Sequence, residues 1–270
     1  SGRMQSVVRA EQLTKDYLTG FWRPSPRRVL HGVSFDVPRG EVFGLLGPNG
    51  AGKTTTLKIL MDLLRPTSGR AVLFDRPSGD PEARARVGFV PEQPYYYDHL
   101  TADELVQYFA GLSGVPAHER ASRAAAVLDR TGVREEDRRR PLRQFSKGML
   151  QRVGLAQALV HDPELVILDE PMSGLDPIGR RDVRQIILAL RDEGKTVLFS
   201  SHILSDAEQL CSRVAILARG HVVALGKLTD LTAPSLRGCE VVATSLRPDA
   251  VATLAPLVAK VTEIADGRYC

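Results

Sequence analysis

Nine consecutive residues, Gly47-Pro48-Asn49-Gly50-Ala51-Gly52-Lys53-Thr54-Thr55, set three glycines, a lysine and two hydroxyls within one short turn. Glycines at this spacing let the backbone curl so that successive N–H groups point inward, the arrangement that cradles phosphate oxygens. The run Glu41 to Leu46 reads as a strand ahead of the turn, and Lys53 to Leu64 reads as a helix behind it, stopped by Pro66. A helix starting there adds a partial positive charge at the same point. Lys53 supplies a full charge toward β and γ phosphates, and the Thr54 hydroxyl is a hard oxygen ligand suited to Mg²⁺. The plain alternative is a glycine-rich turn with a chance lysine. The strand–turn–helix context favours the phosphate loop.

A second constellation is Leu165-Val166-Ile167-Leu168-Asp169-Glu170, an apolar strand that ends in two carboxylates. A carboxylate at the dry end of a buried strand needs a partner. Asp169 can hold Mg²⁺, directly or through water, and Glu170 can take a proton from an attacking water. The alternative is an acidic helix cap following a strand.

These residues need a scaffold, and the rest of the chain describes one. Apolar runs alternate with helical patterns over 270 residues, the signature of an α/β fold. Val29–Val37, Val72–Phe74, Val87–Val90, Leu165–Leu168 and Thr196–Ser200 read as strands, the fourth as a buried parallel one. The stretch from Ala102 to about Val160 is helical, interrupted by a charged segment, Arg134 to Arg143, expected to be a solvated loop. Arg180–Arg191 and Ser205–Cys211 read as helices. Arg213–Leu217 and His221–Leu225 read as a hairpin around Arg219-Gly220. After Pro234 the pattern changes to strand, helix, strand: Glu240–Thr244, Pro248–Leu257 and Lys260–Ile264. Residues 1–3 read as an expression scar, 4–231 as the main domain with a helical subdomain near 95–162, and 232–270 as a small appendage whose abrupt end reads as a truncation.

Composition narrows the class. A net charge of +4, from 36 basic and 32 acidic residues, is too balanced to predict nucleic-acid binding. Three scattered cysteines form neither metal spacing nor a disulfide framework. The longest candidate span, Ala250–Ala259, falls short of a membrane helix.

The two constellations, with four further motifs in order, resemble the nucleotide-binding subunit of ATP-binding cassette (ABC) transporters over roughly Val7 to Leu231. Tyr17 sits where the family's adenine-stacking aromatic lies. Gln93, in Val90-Pro91-Glu92-Gln93-Pro94, resembles the Q-loop glutamine. Phe145-Ser146-Lys147-Gly148-Met149 resembles the signature motif, Ser173-Gly174-Leu175-Asp176 the D-loop, and His202 after Ser200-Ser201 the switch histidine. The usual signature is L-S-G-G-Q; here Lys147 replaces a glycine and Met149 the glutamine, while Ser146 and Gly148 remain.

The resemblance implies a P-loop NTPase core with a parallel sheet, an N-terminal antiparallel β subdomain, a helical subdomain and a small C-terminal α+β appendage. It implies ATP as substrate and Mg²⁺ as cofactor. Catalytic roles fall to Glu170, His202 and Gln93. ATP contacts fall to Tyr17, Gly47, Asn49, Gly50, Gly52, Lys53, Thr54 and Thr55, and from a second subunit to Ser146, Gly148 and Asp176. Metal contacts fall to Thr54, Gln93 and Asp169. The implied partners are a separate integral membrane permease and a second ATPase subunit, a homodimer being expected. The implied place is the cytoplasmic face of the membrane, the appendage favours export over import, and no nucleic acid is expected. Two readings compete: a non-transport ABC ATPase acting on ribosomes or nucleic acid, and an ATP-sensing regulator. Tyr95-Tyr96-Tyr97 cannot all face one core, so at least one is expected to be exposed, with partner contact favoured. The link Leu18 to Arg28, with Trp22, is expected to be a solvated hairpin loop rather than a lipid or membrane-subunit contact.

Overall fold

A computed structural model describes residues 5–19 and 25–232 and, nearer the C-terminus, residues 243–244, 263–265 and 268–269. The chain divides into two compact units, Ser1–Leu231 and Thr232–Cys270. In chain order the first unit runs β1 (Ser6–Thr19), β2 (Ser25–Pro38), β3 (Val42–Leu46), α1 (Lys53–Leu60), β4 (Ser68–Leu73), β5 (Arg76–Pro77), α2 (Pro81–Arg84) and β6 (Val87–Val90). It continues through α3 (Ala102–Leu112), α4 (Arg120–Arg130), α5 (Glu135–Arg138), α6 (Lys147–Leu159), β7 (Leu165–Leu168), α7 (Pro177–Asp192) and β8 (Thr196–Ser201). It closes with α8 (Leu204–Leu210), β9 (Arg213–Ala218), β10 (His221–Lys227) and α9 (Leu228–Thr232), whose last residue opens the second unit.

The central sheet has the order β10-β9-β3-β8-β7-β6, parallel except for the antiparallel edge strand β10. Strand alternation sends its side chains into two cores. Val42, Leu46, Leu168, Val197 and Phe199 join the helices α3, α4, α6 and α7 on one face. Phe43, Leu45, Leu165, Ile167 and Leu198 join α1, β1 and β2 on the other. Because both faces are covered, β3, β7 and β8 are buried throughout, as an all-parallel core requires. A second sheet, β2-β1-β4-β5, is antiparallel.

Element ends follow local chemistry. Thr101 and Glu104 form a reciprocal capping box at α3. Asp176 caps α7, with Pro177 at its first position. Helix α1 stops at Leu60 rather than the expected Leu64, because Asp62 adopts φ +54° and the Leu63 N–H returns to the Lys58 carbonyl at 2.9 Å.

Two expectations need correction. The β1–β2 ladder runs on to the Thr19–Ser25 pair, so both ends of the stretch Leu18 to Arg28 are paired strand rather than loop. The Arg28 guanidinium donates twice to the Asp16 carboxylate, at 2.7 and 2.9 Å, and holds the strands together there. Trp22 lies outside the described residues. The segment Arg134 to Arg143 is not a solvated loop: it contains α5 and the 3₁₀ turn Leu142–Gln144, and Asp137 and Arg138 are buried. The Asp137 carboxylate accepts from Arg140 at 2.6 Å and from Arg134 at 3.2 Å, while Arg138 donates to the Val133 carbonyl and to Asp129. Each buried charge is thereby paired, which is what burial requires of it.

In the second unit the described residues form three short strands, β11 (Ala243–Thr244), β12 (Glu263–Ala265) and β13 (Arg268–Tyr269), in the order β11-β13-β12. The expected helix Pro248–Leu257 lies outside the described residues.

Candidate functional site

The carboxyl ends of β3, β7 and β8 lie side by side, and each delivers one part of the site. This is the edge where open parallel sheets bind their ligands. Leu46 is in register with Ser201, and Leu168 with Phe199.

The loop after β3 curls as its glycines allow. Gly47 has φ +150°, and a Cβ there would come within 2.2 Å of the Leu217 carbonyl oxygen. Gly52, at φ +105°, is pressed against Leu30 of β2. No other residue satisfies both the left-handed backbone and the close approach. Gly50, with φ +79°, faces open space, and Pro48 and Asn49 lie exposed at the crest. Gly220 in the β9–β10 turn donates its N–H to the Ala51 carbonyl at 3.0 Å, bracing the loop from below.

Lys53 is buried at the first position of α1. Its ammonium donates to the Gly47 carbonyl at 2.6 Å and the Pro48 carbonyl at 3.3 Å, and lies 3.1 Å from Glu170 Oε1. Glu170 Oε2 meets His202 Nδ1 at 2.9 Å. Glu170 itself is buried and adopts φ +48°, an unusual backbone for a glutamate. Strained backbone of this kind clusters at functional sites. Asp169 Oδ1 accepts from the Thr54 hydroxyl at 3.2 Å and from Ser200 Oγ at 2.7 Å. Ser200 also accepts the Glu170 N–H at 2.8 Å. It therefore fixes both carboxylate residues at once. In the sequence Ser200 shows only as a hydroxyl directly after the apolar run Val197–Phe199, ahead of His202.

The structure thus brings Lys53, Thr54, Asp169, Glu170 and His202 together. Thr55 is half-buried beside Thr54 in α1. Tyr17, Gln93, Ser146, Gly148 and Asp176 share no side-chain hydrogen bond or ion pair with this cluster among the described residues. Tyr17, partly exposed on β1, has the Lys15 ammonium 5.4 Å from its ring centroid. Gln93 is exposed three residues beyond Val90, the end of β6. Ser146 is exposed and caps α6, accepting the Met149 N–H at 3.3 Å; a Cβ on Gly148 would meet nothing within 4 Å. Asp176 uses its carboxylate to accept the Gly179 N–H at 3.0 Å. Of the three tyrosines, Tyr95 is 98% and Tyr97 55% exposed, while Tyr96 packs against the helical core, its hydroxyl over Gly154 of α6. That hydroxyl has no hydrogen-bond partner among the described residues, and burial drives its pKa upward.

No group of three or more His, Cys, Asp or Glu residues gathers as a metal cage among the described residues. Mg²⁺ needs none: it is held by one or two protein oxygens, with phosphates and waters completing its octahedron. The paired oxygens of Thr54 and Asp169, beside a loop shaped for phosphate, match that donor set.

The profile of the ABC transporter family matches residues 30–173. An uncharacterized ABC transporter ATP-binding protein of Synechocystis is 51% identical over 227 residues. The aligned stretch is 84% of this chain but 64% of that relative, so the chain spans under two thirds of its length. The fluoroquinolones export ATP-binding protein of Mycobacterium tuberculosis is 40% identical over 83% of this chain and 72% of its own. Among solved structures, a dimeric ATP-binding cassette in a post-hydrolysis state, bound to ADP and Pi, matches with a TM-score of 0.74. It is 29% identical and covers 82% of this chain and 98% of its own.

Proposed function

The chain belongs to the ABC transporter family, and we propose that it is the ATP-binding, ATP-hydrolysing subunit of an exporter whose pore is a separate polypeptide. The convergence of Lys53, Thr54, Asp169, Glu170 and His202 at one sheet edge carries this reading. No helix among the described residues is long and apolar enough to cross a membrane, in keeping with a pore supplied elsewhere. The export assignment rests on relatives such as the fluoroquinolone exporter subunit.

The phosphate chain of ATP lies in the loop Gly47 to Thr55, with Asn49 and Gly50 at its crest and adenine against Tyr17. Thr54 and Asp169, with Gln93, would hold Mg²⁺, which would neutralise negative charge on the ATP phosphates. Lys53 is paired with Glu170. A γ-phosphate is the stronger partner for that ammonium, so nucleotide entry draws Lys53 away and leaves Glu170 free to accept a proton from water. His202 Nδ1 keeps the carboxylate oriented during this step. Closure then requires a second copy, whose Ser146, Gly148 and Asp176 face the γ-phosphate. ADP lacks that bridging group and holds the dimer less well. The exposed Tyr95, and the exposed Tyr97 whose ring stands edge-on to His99 and Tyr108, offer a surface for the permease on the cytoplasmic face of the membrane.

Steady-state phosphate release with Mg-ATP tests the assignment. The proposal expects turnover in the wild-type chain and its loss in Glu170→Gln. Tight ATP binding without turnover in the wild type would favour the ATP-sensing regulator instead.

A further inference from the structure

His202 leaves β8 at the point where the chain turns into α8, and something must fix α8 for the imidazole to stay on Glu170. Part of the anchor is apolar: Ala207 and Leu210 are buried in the core. The polar part is Asp206, which is 3% exposed and lines the same small cavity as Glu170, Ser200 and His202. Its carboxylate lies 3.6 Å from the Arg184 guanidinium of α7. Arg184 Nε is buried with no hydrogen-bond partner among the described residues, and among them Asp206 is the carboxylate that pairs with the guanidinium.

Helix α7 is held on its opposite side as well. Asp182 pairs with Arg152 of α6, the helix that Ser146 caps. Residues two apart on a helix point about 200° apart, so Asp182 and Arg184 face opposite neighbours. Arg152–Asp182 and Arg184–Asp206 therefore clamp α7 between the helix of the signature motif and the helix that follows His202. The same α7 is capped by Asp176, six residues after Glu170.

We propose that Arg184 and Asp206 are positioning residues for His202: α7 acts as a strut that sets the imidazole against Glu170 according to where α6 stands. The inference rests on the ATPase reading above. A strut of this kind acts on the chemical step, because neither residue touches the phosphate loop that binds nucleotide.

The test is Mg-ATP turnover by the purified full chain in four variants: Asp206→Asn, Arg184→Met, the double variant and Arg184→Lys. The expected result is a fall in kcat on the order of tenfold to a hundredfold for each of the first two, as small misplacements of catalytic groups produce. KM for ATP should move by less than about twofold. The double variant should be no worse than the poorer single one, since both remove one interaction. Arg184→Lys, which keeps the charge, should recover most of the loss. Unchanged kcat in a folded Asp206→Asn, losses that multiply in the double variant, or an effect confined to KM would overturn the inference. Should Asp206→Asn fail to fold, equal kcat in Arg184→Met and Arg184→Lys would overturn it alone. No turnover in the wild type would refute the ATPase reading and this inference with it; wild-type turnover with unmoved variants refutes only the strut.

Discussion

Replacing Glu170 by glutamine should destabilise the empty chain and strengthen its hold on ATP, in one stroke. Glu170 and Lys53 are both buried, 9% and 5% exposed, with 3.1 Å between their charged atoms. Removing one partner of a buried pair costs about 3–5 kcal/mol when the other charge is left stranded. Lys53 is not fully stranded, because the Gly47 and Pro48 carbonyls still accept from it. The expected loss is therefore smaller, about 1–3 kcal/mol. In a unit of this size that lowers Tm by roughly 3–10 °C. Once phosphate becomes the partner of Lys53 the penalty vanishes. The same free energy then appears as ATP binding tightened by about 5- to 150-fold. Melting curves of both chains, alone and with Mg-ATP, read these shifts directly. Phosphate release, measured alongside, should fall by on the order of 10²–10⁴ if Glu170 is the base. A wild-type melting temperature in the empty variant, with an unchanged ATP-induced shift, would refute the coupling of Lys53 to Glu170. Near-normal turnover would move the base elsewhere.

Lys53→Ala should weaken ATP binding by roughly 10- to 150-fold, the worth of one charge-assisted contact, as titration calorimetry would show. Ser146→Arg should leave nucleotide affinity of the single chain intact yet abolish ATP-driven association, visible by light scattering. Tyr96→Phe should raise stability by about 1 kcal/mol, because it removes a buried hydroxyl that lacks a partner while keeping the ring on Gly154; a lower Tm would contradict this. Arg86 first, and Arg39 with it, hold the Glu164 carboxyl at about 2 against an ordinary 4.5. A lowered folded pKa means this stabilisation is complete above pH 4.5 and is lost as pH falls toward 2. The pair is 41% exposed on the Glu164 side, so Glu164→Gln should cost only about 1 kcal/mol at neutral pH and flatten acid unfolding in that window.

What the sequence made legible was local. Gly47 to Thr55 carries its own geometry in nine neighbouring residues, and Leu165 to Glu170 shows burial and charge in a single run. Ser200 escaped because its role exists only when β8 lies beside β7 and brings its hydroxyl between the two acidic residues. Strand β1 escaped as an individual element because its alternation is broken: the register shifts between Ala10 and Leu13, where Gln12 takes φ +50°. Arg134 to Arg143 misled because mixed charges resemble a solvated face, whereas here Asp137 and Arg138 are buried and pair with charged partners nearer the surface. Ser146, Gly148 and Asp176 are readable as motif positions, but their proposed ligand lies on another chain.

The central claim is that ATP, and not ADP, joins two copies of this chain around a shared γ-phosphate. Sedimentation velocity of Glu170→Gln with Mg-ATP and with Mg-ADP tests it most directly. The account predicts a dimer with Mg-ATP and a monomer with Mg-ADP. A monomer under both, or a dimer that ignores the nucleotide, would contradict it.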